Sequence, residues 1–135
     1  MIKNLTPHKI VLVSGGQTEE ILPEKVSARV AVNEVETGSE MFIPEGGKPG
    51  MFLTVISQEY GEVEGLPEPD PFTIYIVSAL VLSRVAKTMP NRAGVDVFAP
   101  DTGKTAIRDE KGNIVAVTRL TMGETMSKKK EENNV

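Results

Sequence analysis

Arginine is the residue type with the most chemistry to offer in this sequence, and Arg29, Arg84, Arg92 and Arg108 stand where elements can hold them. A guanidinium grips phosphate through two parallel hydrogen bonds and keeps its charge when partly buried. Asn91 precedes Arg92 in the segment after Pro90, and its amide can read the donor and acceptor edge of a base. Arg29 and Arg108 fall in strand-like stretches, which would hold both rigidly on a sheet surface. The plain alternative is a solvated arginine face whose salt bridges contribute about 0–1 kcal/mol each.

The other candidates are weaker. Gly103-Lys104-Thr105 resembles the end of a phosphate-binding loop, but Phe98 stands where that motif needs its first glycine, and a strand follows instead of a helix. It reads as a turn. Gly46-Gly47-Lys48-Pro49-Gly50 could offer backbone amides to an anion, yet without a flanking motif it reads as a loop. His8 is the only histidine and has no partner in view for acid–base or metal chemistry, so packing beside Pro7 is expected. Asp109 and Glu110 are adjacent carboxylates in a hairpin loop, where turn chemistry comes first. The chain has no cysteine, which removes disulfides, thiolate metal ligands and thiol nucleophiles, and favours a reducing compartment. With no nucleophile, base or metal motif in sequence, a noncatalytic binding protein without cofactor or metal is expected.

The elements that must position these residues follow from periodicity. Lys9 to Val13 is β-branched and apolar on both faces, a central strand; Ser14 to Gln17 turns and Glu19 to Leu22 returns. Ser27 to Asn33 alternates, with Arg29 on its polar side. Met41 to Ile43 suggests a short strand, and Met51 to Ser57 a longer one reaching toward Tyr60. The proline-dense stretch Gly65 to Pro71 is expected to be extended or turning, and Phe72 to Val77 a strand. Ser78 can cap a helix over about 78–89, with Leu80, Val81, Leu82, Val85, Ala86 and Met89 on its apolar face and Pro90 ending it. Val95 to Ala99 reads as a strand. Thr105 to Arg108 is expected to pair with Ile114 to Leu120 across a loop in which Gly112 supplies positive φ. The sum is one α+β domain over 1–122, predominantly antiparallel sheet with one helix, and a disordered tail over 123–135 that lacks apolar anchors.

Charge divides the chain. Residues 34–70 carry nine acids against Lys48 alone, while 71–122 carry seven bases against four acids. The net charge of -4 argues against duplex nucleic acid and for a small anion held in the C-terminal half. The acidic segment supports another reading, a protein that docks through 34–70 on a basic partner protein. No apolar run is long enough to span a bilayer and no signal peptide is evident, so a soluble intracellular protein is expected.

Five blocks recur in order: Asn4 to His8, Ala28 to Val30, Gly61 to Pro67, Tyr75 to Ser78 and Arg108 to Ile114. In these the chain resembles small phage and prophage proteins, above all the first-described Thoeris anti-defence family of phage sponges. The resemblance implies a Thoeris inhibitor acting in the host bacterial cytoplasm, a decoy that sequesters cyclic ADP-ribose isomers and, in some members, cyclic oligonucleotides. It also implies a homo-oligomer, dimer or hexamer. By position, Arg29 and Arg108 would hold phosphate, Asn91 would touch base or ribose, and Asp109 would accept from a hydroxyl, with Arg84 and Arg92 nearby. The ring expected near Val81 is aliphatic here, leaving Phe98, Tyr75 or Phe72 to stack on the base.

Overall fold

Chain segments some seventy residues apart form the central sheet. In a computed structural model describing residues 1–124, β1 (Ile2–Asn4) pairs in parallel with β6 (Ile74–Ile76), which pairs in parallel with β7 (Val97–Pro100); β10 (Leu120–Thr121) closes the other edge antiparallel to β7. The remaining pairs are antiparallel: β2 (Ile10–Ser14) with β3 (Gln17–Ile21), β4 (Arg29–Glu45) with β5 (Lys48–Glu64), and β8 (Ile107–Arg108) with β9 (Ile114–Ala116). One helix, α1 (Ala79–Thr88), completes an α+β domain. The tail expected to be disordered lies, from residue 125 on, outside the described residues.

Alternation along β6 gives the sheet two buried faces. Tyr75 and Val77 point to one side, where Val81, Leu82 and Val85 of α1 close over Val97 and Ala99; Ile76 points to the other, against Ile10, Ile21 and Val117. Each such aliphatic side chain contributes about 1.5–3 kcal/mol on full burial. The helix starts where the sequence places it. Ser78 is its N-cap and accepts from the Val81 amide at 3.3 Å, and the Met89 amide donates to the Val85 carbonyl before Pro90.

Asn4 ends β1, at one edge of the central sheet. It is fully buried; its Oδ1 accepts from the amide and the hydroxyl of Thr6, and its Nδ2 donates to the carbonyls of His8 and Ile21. The Asn-Leu-Thr-Pro-His block thus clamps β1 to the β2–β3 hairpin. His8 contributes only its backbone; its side chain is exposed, against the expectation that it packs.

Three further expectations are corrected. The short strand at 41–43 and the strand at 51–57 belong to one long hairpin of two 17-residue strands. The 46–50 loop shrinks to a turn at Gly46 and Gly47, with Lys48 to Gly50 already in β5. In a two-stranded ribbon each strand has a free edge, so Pro44 and Pro49 fit inside it without breaking a ladder. Residues 114–120 also split, since β9 pairs with β8 but Leu120 turns to β7.

Candidate functional site

The proline-dense segment takes its shape from Asp70. Its Oδ1 accepts from the Phe72 amide at 3.0 Å, its Oδ2 from the Thr73 hydroxyl at 3.2 Å and its carbonyl from the Thr73 amide at 3.1 Å. This side-chain turn, together with prolines that fix φ, swings the Phe72 ring outward until the residue is 82% exposed. Facing it is the turn after α1, where the Arg92 carbonyl accepts from the amides of Val95, Asp96 and Val97. An open cleft of about 720 Å³ lies between the two, with Phe72, Asn91, Arg92, Val95 and Asp96 on its walls and Ile2 and Ile74 among its lining. That volume falls in the range of small-molecule sites, about 300–1,000 Å³.

Within the cleft the predicted pair Asn91 and Arg92 divides. Asn91 is exposed. Arg92 is only half-buried as a residue, yet its guanidinium is committed: Nη2 donates to Asp96 Oδ2 at 2.7 Å, and Nε reaches both carboxylate oxygens at 3.2 and 3.3 Å. The guanidinium carbon also stands 5.8 Å from the Tyr75 ring centre, a cation–π distance. Tyr75 is buried, its hydroxyl donating to the Glu68 carbonyl. Of the three rings considered from sequence, Phe72 is therefore the free one; Tyr75 forms the seat of Arg92, and Phe98 is half-buried in β7 and lines none of the described cavities.

The other predicted residues lie elsewhere. Arg29 opens β4, exposed, in a shallow depression of about 350 Å³ beside Lys25, Ser27 and Glu64. Arg84 leaves the helix toward β5, where its Nε donates to the Gly61 carbonyl at 2.9 Å. Arg108 spans its own hairpin loop, Nη1 donating to the Gly112 carbonyl at 2.7 Å. Asp109 closes that loop by accepting from the Lys111 and Asn113 amides, each at 2.9 Å, and Gly112 has φ 86°, as the turn reading requires. No described cavity holds two of the four arginines. Compared with known proteins, the chain matches no family model, no curated protein and no solved structure.

Sequence reasoning passed over two groups. Asp96 is one, hidden because its pairing with Arg92 depends on a turn and no motif announces it. The second is Asp101 with Arg119, beside the N-terminus of α1: Arg119 Nη2 stands 2.7 Å and Nε 2.9 Å from Asp101 Oδ2. The Gly103 amide donates to Asp101 Oδ1 at 2.9 Å. That amide first, and the guanidinium second, hold the Asp101 carboxyl below the usual carboxylate value. The same bond makes Gly103-Lys104-Thr105 a turn, with the Ala106 amide donating to the Gly103 carbonyl. Among the described residues no group of three histidines or acids is placed to hold a metal ion, and no helix is long and apolar enough to cross a membrane.

Proposed function

We propose that this chain is a noncatalytic binding protein that takes a cyclic nucleotide signal out of circulation in a bacterial host's cytoplasm, in the manner of the phage sponges it resembles. A cyclic ADP-ribose isomer is the leading ligand and cyclic oligonucleotides the next. The observation that carries this reading is the cleft between Phe72 and Asn91, which puts an exposed ring and an exposed amide residue on one small-molecule-sized cavity. A base stacked on Phe72 and read along its edge by Asn91 needs no nucleophile, and sequestration needs none either.

The cleft suits the nucleoside half of such a ligand. Arg92 is neutralised by Asp96, so phosphate recognition falls to Arg29 and Arg108, which are exposed on other surfaces. For those surfaces to reach a ligand in this cleft, a second protomer would have to bring them, which is the homo-oligomer that the resemblance implies. Sub-micromolar capture requires more than about 8 kcal/mol, and enclosure between protomers is a route to it.

Calorimetric titration of the full chain with cyclic ADP-ribose isomers, linear ADP-ribose and a cyclic trinucleotide tests the reading. One cyclic ligand binds tightly and is released intact on heating; Phe72→Ala and Asn91→Ala each weaken it tenfold or more, about 1.4 kcal/mol. Absence of heat with every cyclic ligand, or recovery of a cleaved product, overturns it. Arg92 is unsuited to this test, because its removal strands Asp96 as well as altering the cleft.

The second reading from sequence, docking of the acidic 34–70 segment on a basic host protein, draws on the β4–β5 hairpin, where Glu34, Glu36, Glu40, Glu45 and Glu59 are all exposed.

A further inference from the structure

The β4–β5 hairpin is an arm whose pairing assigns its side chains to two unlike faces. On one face Glu34, Glu36 and Glu40 of β4 stand in a row, opposite Gln58, Ile56 and Thr54 of β5. Apolar pairs close that row at both ends: Val32 with Tyr60 toward the base, and Phe42 with Phe52 toward the tip. The two pairs are about 27 Å apart along the strand. Between the same limits the reverse face holds a single acid, Glu59, opposite Asn33. The first face lies open to solvent, with the three glutamates exposed, Phe52 67% exposed and Ile56, in the middle, 41%. Among the described residues no ion pair engages the three carboxylates. Neither edge of the ribbon offers an unbroken ladder to a further strand. Thr37 and Gly38 have no counterpart in β5, since Glu36 pairs with Ile56 and Ser39 with Val55, and β5 is itself irregular beside Gly50 and Gly61. Bulges of this kind protect an edge, so a partner meets this arm through a face.

We propose that the glutamate face receives a basic amphipathic helix of a partner protein, with cations along its centre and an apolar anchor near each end. The inference rests on the second reading above and deepens it, naming the face and the shape of what it takes. Charge selects the partner: three carboxylates without a counter-ion attract a basic segment and repel anionic lipid and nucleic acid. Spacing fits a helix. The Thr37–Gly38 bulge stands outside the ladder, so successive glutamates lie about 6–7 Å apart, and cations four residues apart on a helix are separated by about 6 Å. The end pairs are separated by the rise of about 18 helical residues. An extended basic segment has similar spacing, but its amides and carbonyls need an edge to pair with, and both edges here are interrupted. A helix satisfies its own backbone and can lie on a face. A surface of about 27 by 10 Å gives about 270 Å² per partner, which places the complex among small, transient ones of micromolar affinity.

Fluorescence anisotropy of dye-labelled peptides, titrated with the full chain, tests this. The probe is an alanine-based helical peptide of about 18 residues, with lysines four apart through its middle and a leucine near each end. One control has the same composition in an order that gives no face. The other keeps every lysine and leucine in place but replaces central alanines with proline, which breaks the helix. At about 0.15 M salt, where exposed charges more than about 8 Å apart are largely screened, the helical probe binds about tenfold more tightly than either control. Glu36→Lys weakens it about tenfold and Ile56→Ser about threefold, whereas Glu59→Lys on the reverse face changes it less than about twofold. All three positions are exposed, and the variants melt with the wild type. Equal binding of the proline control overturns the helix while leaving docking on a basic partner intact. Absence of binding by all three peptides overturns both. An equal loss with Glu36→Lys and Glu59→Lys shows attraction to the arm as a whole and overturns the assignment of the face.

Discussion

The Nε of Arg84 donates to the carbonyl of Gly61 at 2.9 Å, which ties the helix to an irregularity in β5. There Gly61 and Glu62 stand opposite the single residue Ala31, because Val30 pairs with Val63 and Val32 with Tyr60. Such a bulge bends its strand and leaves a backbone group without a ladder partner. Arg84 supplies that partner, so an arginine read from sequence as a candidate anion ligand acts here as a bracket for the long arm formed by the β4–β5 hairpin. Arg84→Met keeps the aliphatic stem and removes the charged donor, at a cost of about 1.5–3 kcal/mol. Urea denaturation gives the magnitude. Hydrogen exchange places the loss, with the amides of Ala31 and Gly61 exchanging faster while those of β6 change only by the global amount.

Asn4 makes a sharper prediction because all of its hydrogen-bonding groups are engaged in the buried core. Asn4→Leu leaves the Thr6 amide and the Ile21 carbonyl without their side-chain partner, each at about 1–3 kcal/mol. Asn4→Asp is the more telling change: it keeps the size and the acceptor toward Thr6 but replaces two donors with a charge. Both variants lower the melting temperature, and Asn4→Asp regains stability as the pH falls and its carboxyl protonates. If Asn4→Asp melts with the wild type at pH 7, the clamp contributes less than its geometry implies.

Some of this was open to sequence reasoning, for local reasons. The helix announced itself because Ser78 and Pro90 bracket an apolar face, and the Arg108 hairpin because Gly112 marks the only residue of its loop that must take positive φ. The arm did not, since Gly46, Gly47, Pro44 and Pro49 look like breaks in a chain whose neighbours are unknown. A free ribbon edge, which makes them harmless, is a tertiary fact. The parallel pairings of β6 with β1 and β7 join distant segments and leave no periodic trace. The arginines show the same limit: their residue type predicts phosphate chemistry, but whether they converge depends on packing, and here Arg84 and Arg92 are taken up by the Gly61 carbonyl and Asp96. Convergence of Phe72 with Asn91 was equally out of reach, because it depends on the turn that Asp70 builds.

Asp101 gives the fold an acid-sensitive contact. Its carboxyl lies below the ordinary value because the Gly103 amide and then Arg119 stabilise the charged form. A folded value below the unfolded one means that the contribution is complete above the unfolded value, about 3.9, and is lost as pH falls through the folded one. Asp101→Asn removes that dependence. The wild type loses stability on acidification below about pH 4 more steeply than the variant, and the two curves draw together at the acid end. Chemical denaturation at a series of pH values reads the difference. Parallel curves across that window would show that the pair persists in the unfolded chain or contributes nothing.

Near the tip of the arm, Gly50 makes room for Phe42. A Cβ at position 50 would clash with the Phe42 ring and lie 2.8 Å from the Ile43 carbonyl, so even alanine requires a shift. The ring covers the glycine and meets Phe52 across the ribbon with centres 5.1 Å apart and planes tilted by 46°. Gly50→Val displaces the ring and loses this contact, at a cost of about 1–3 kcal/mol for overpacking. Phe42→Ala in the same chain removes one obstacle and leaves the carbonyl, so it recovers part of the loss. A double-mutant cycle in urea therefore gives a coupling of about 0.5 kcal/mol or more between positions eight residues apart. Both positions face the side of the arm away from Met41 and Leu53. The cycle thus measures the tip's internal packing, and a coupling near zero would show that the ring does not rest on Gly50 in solution.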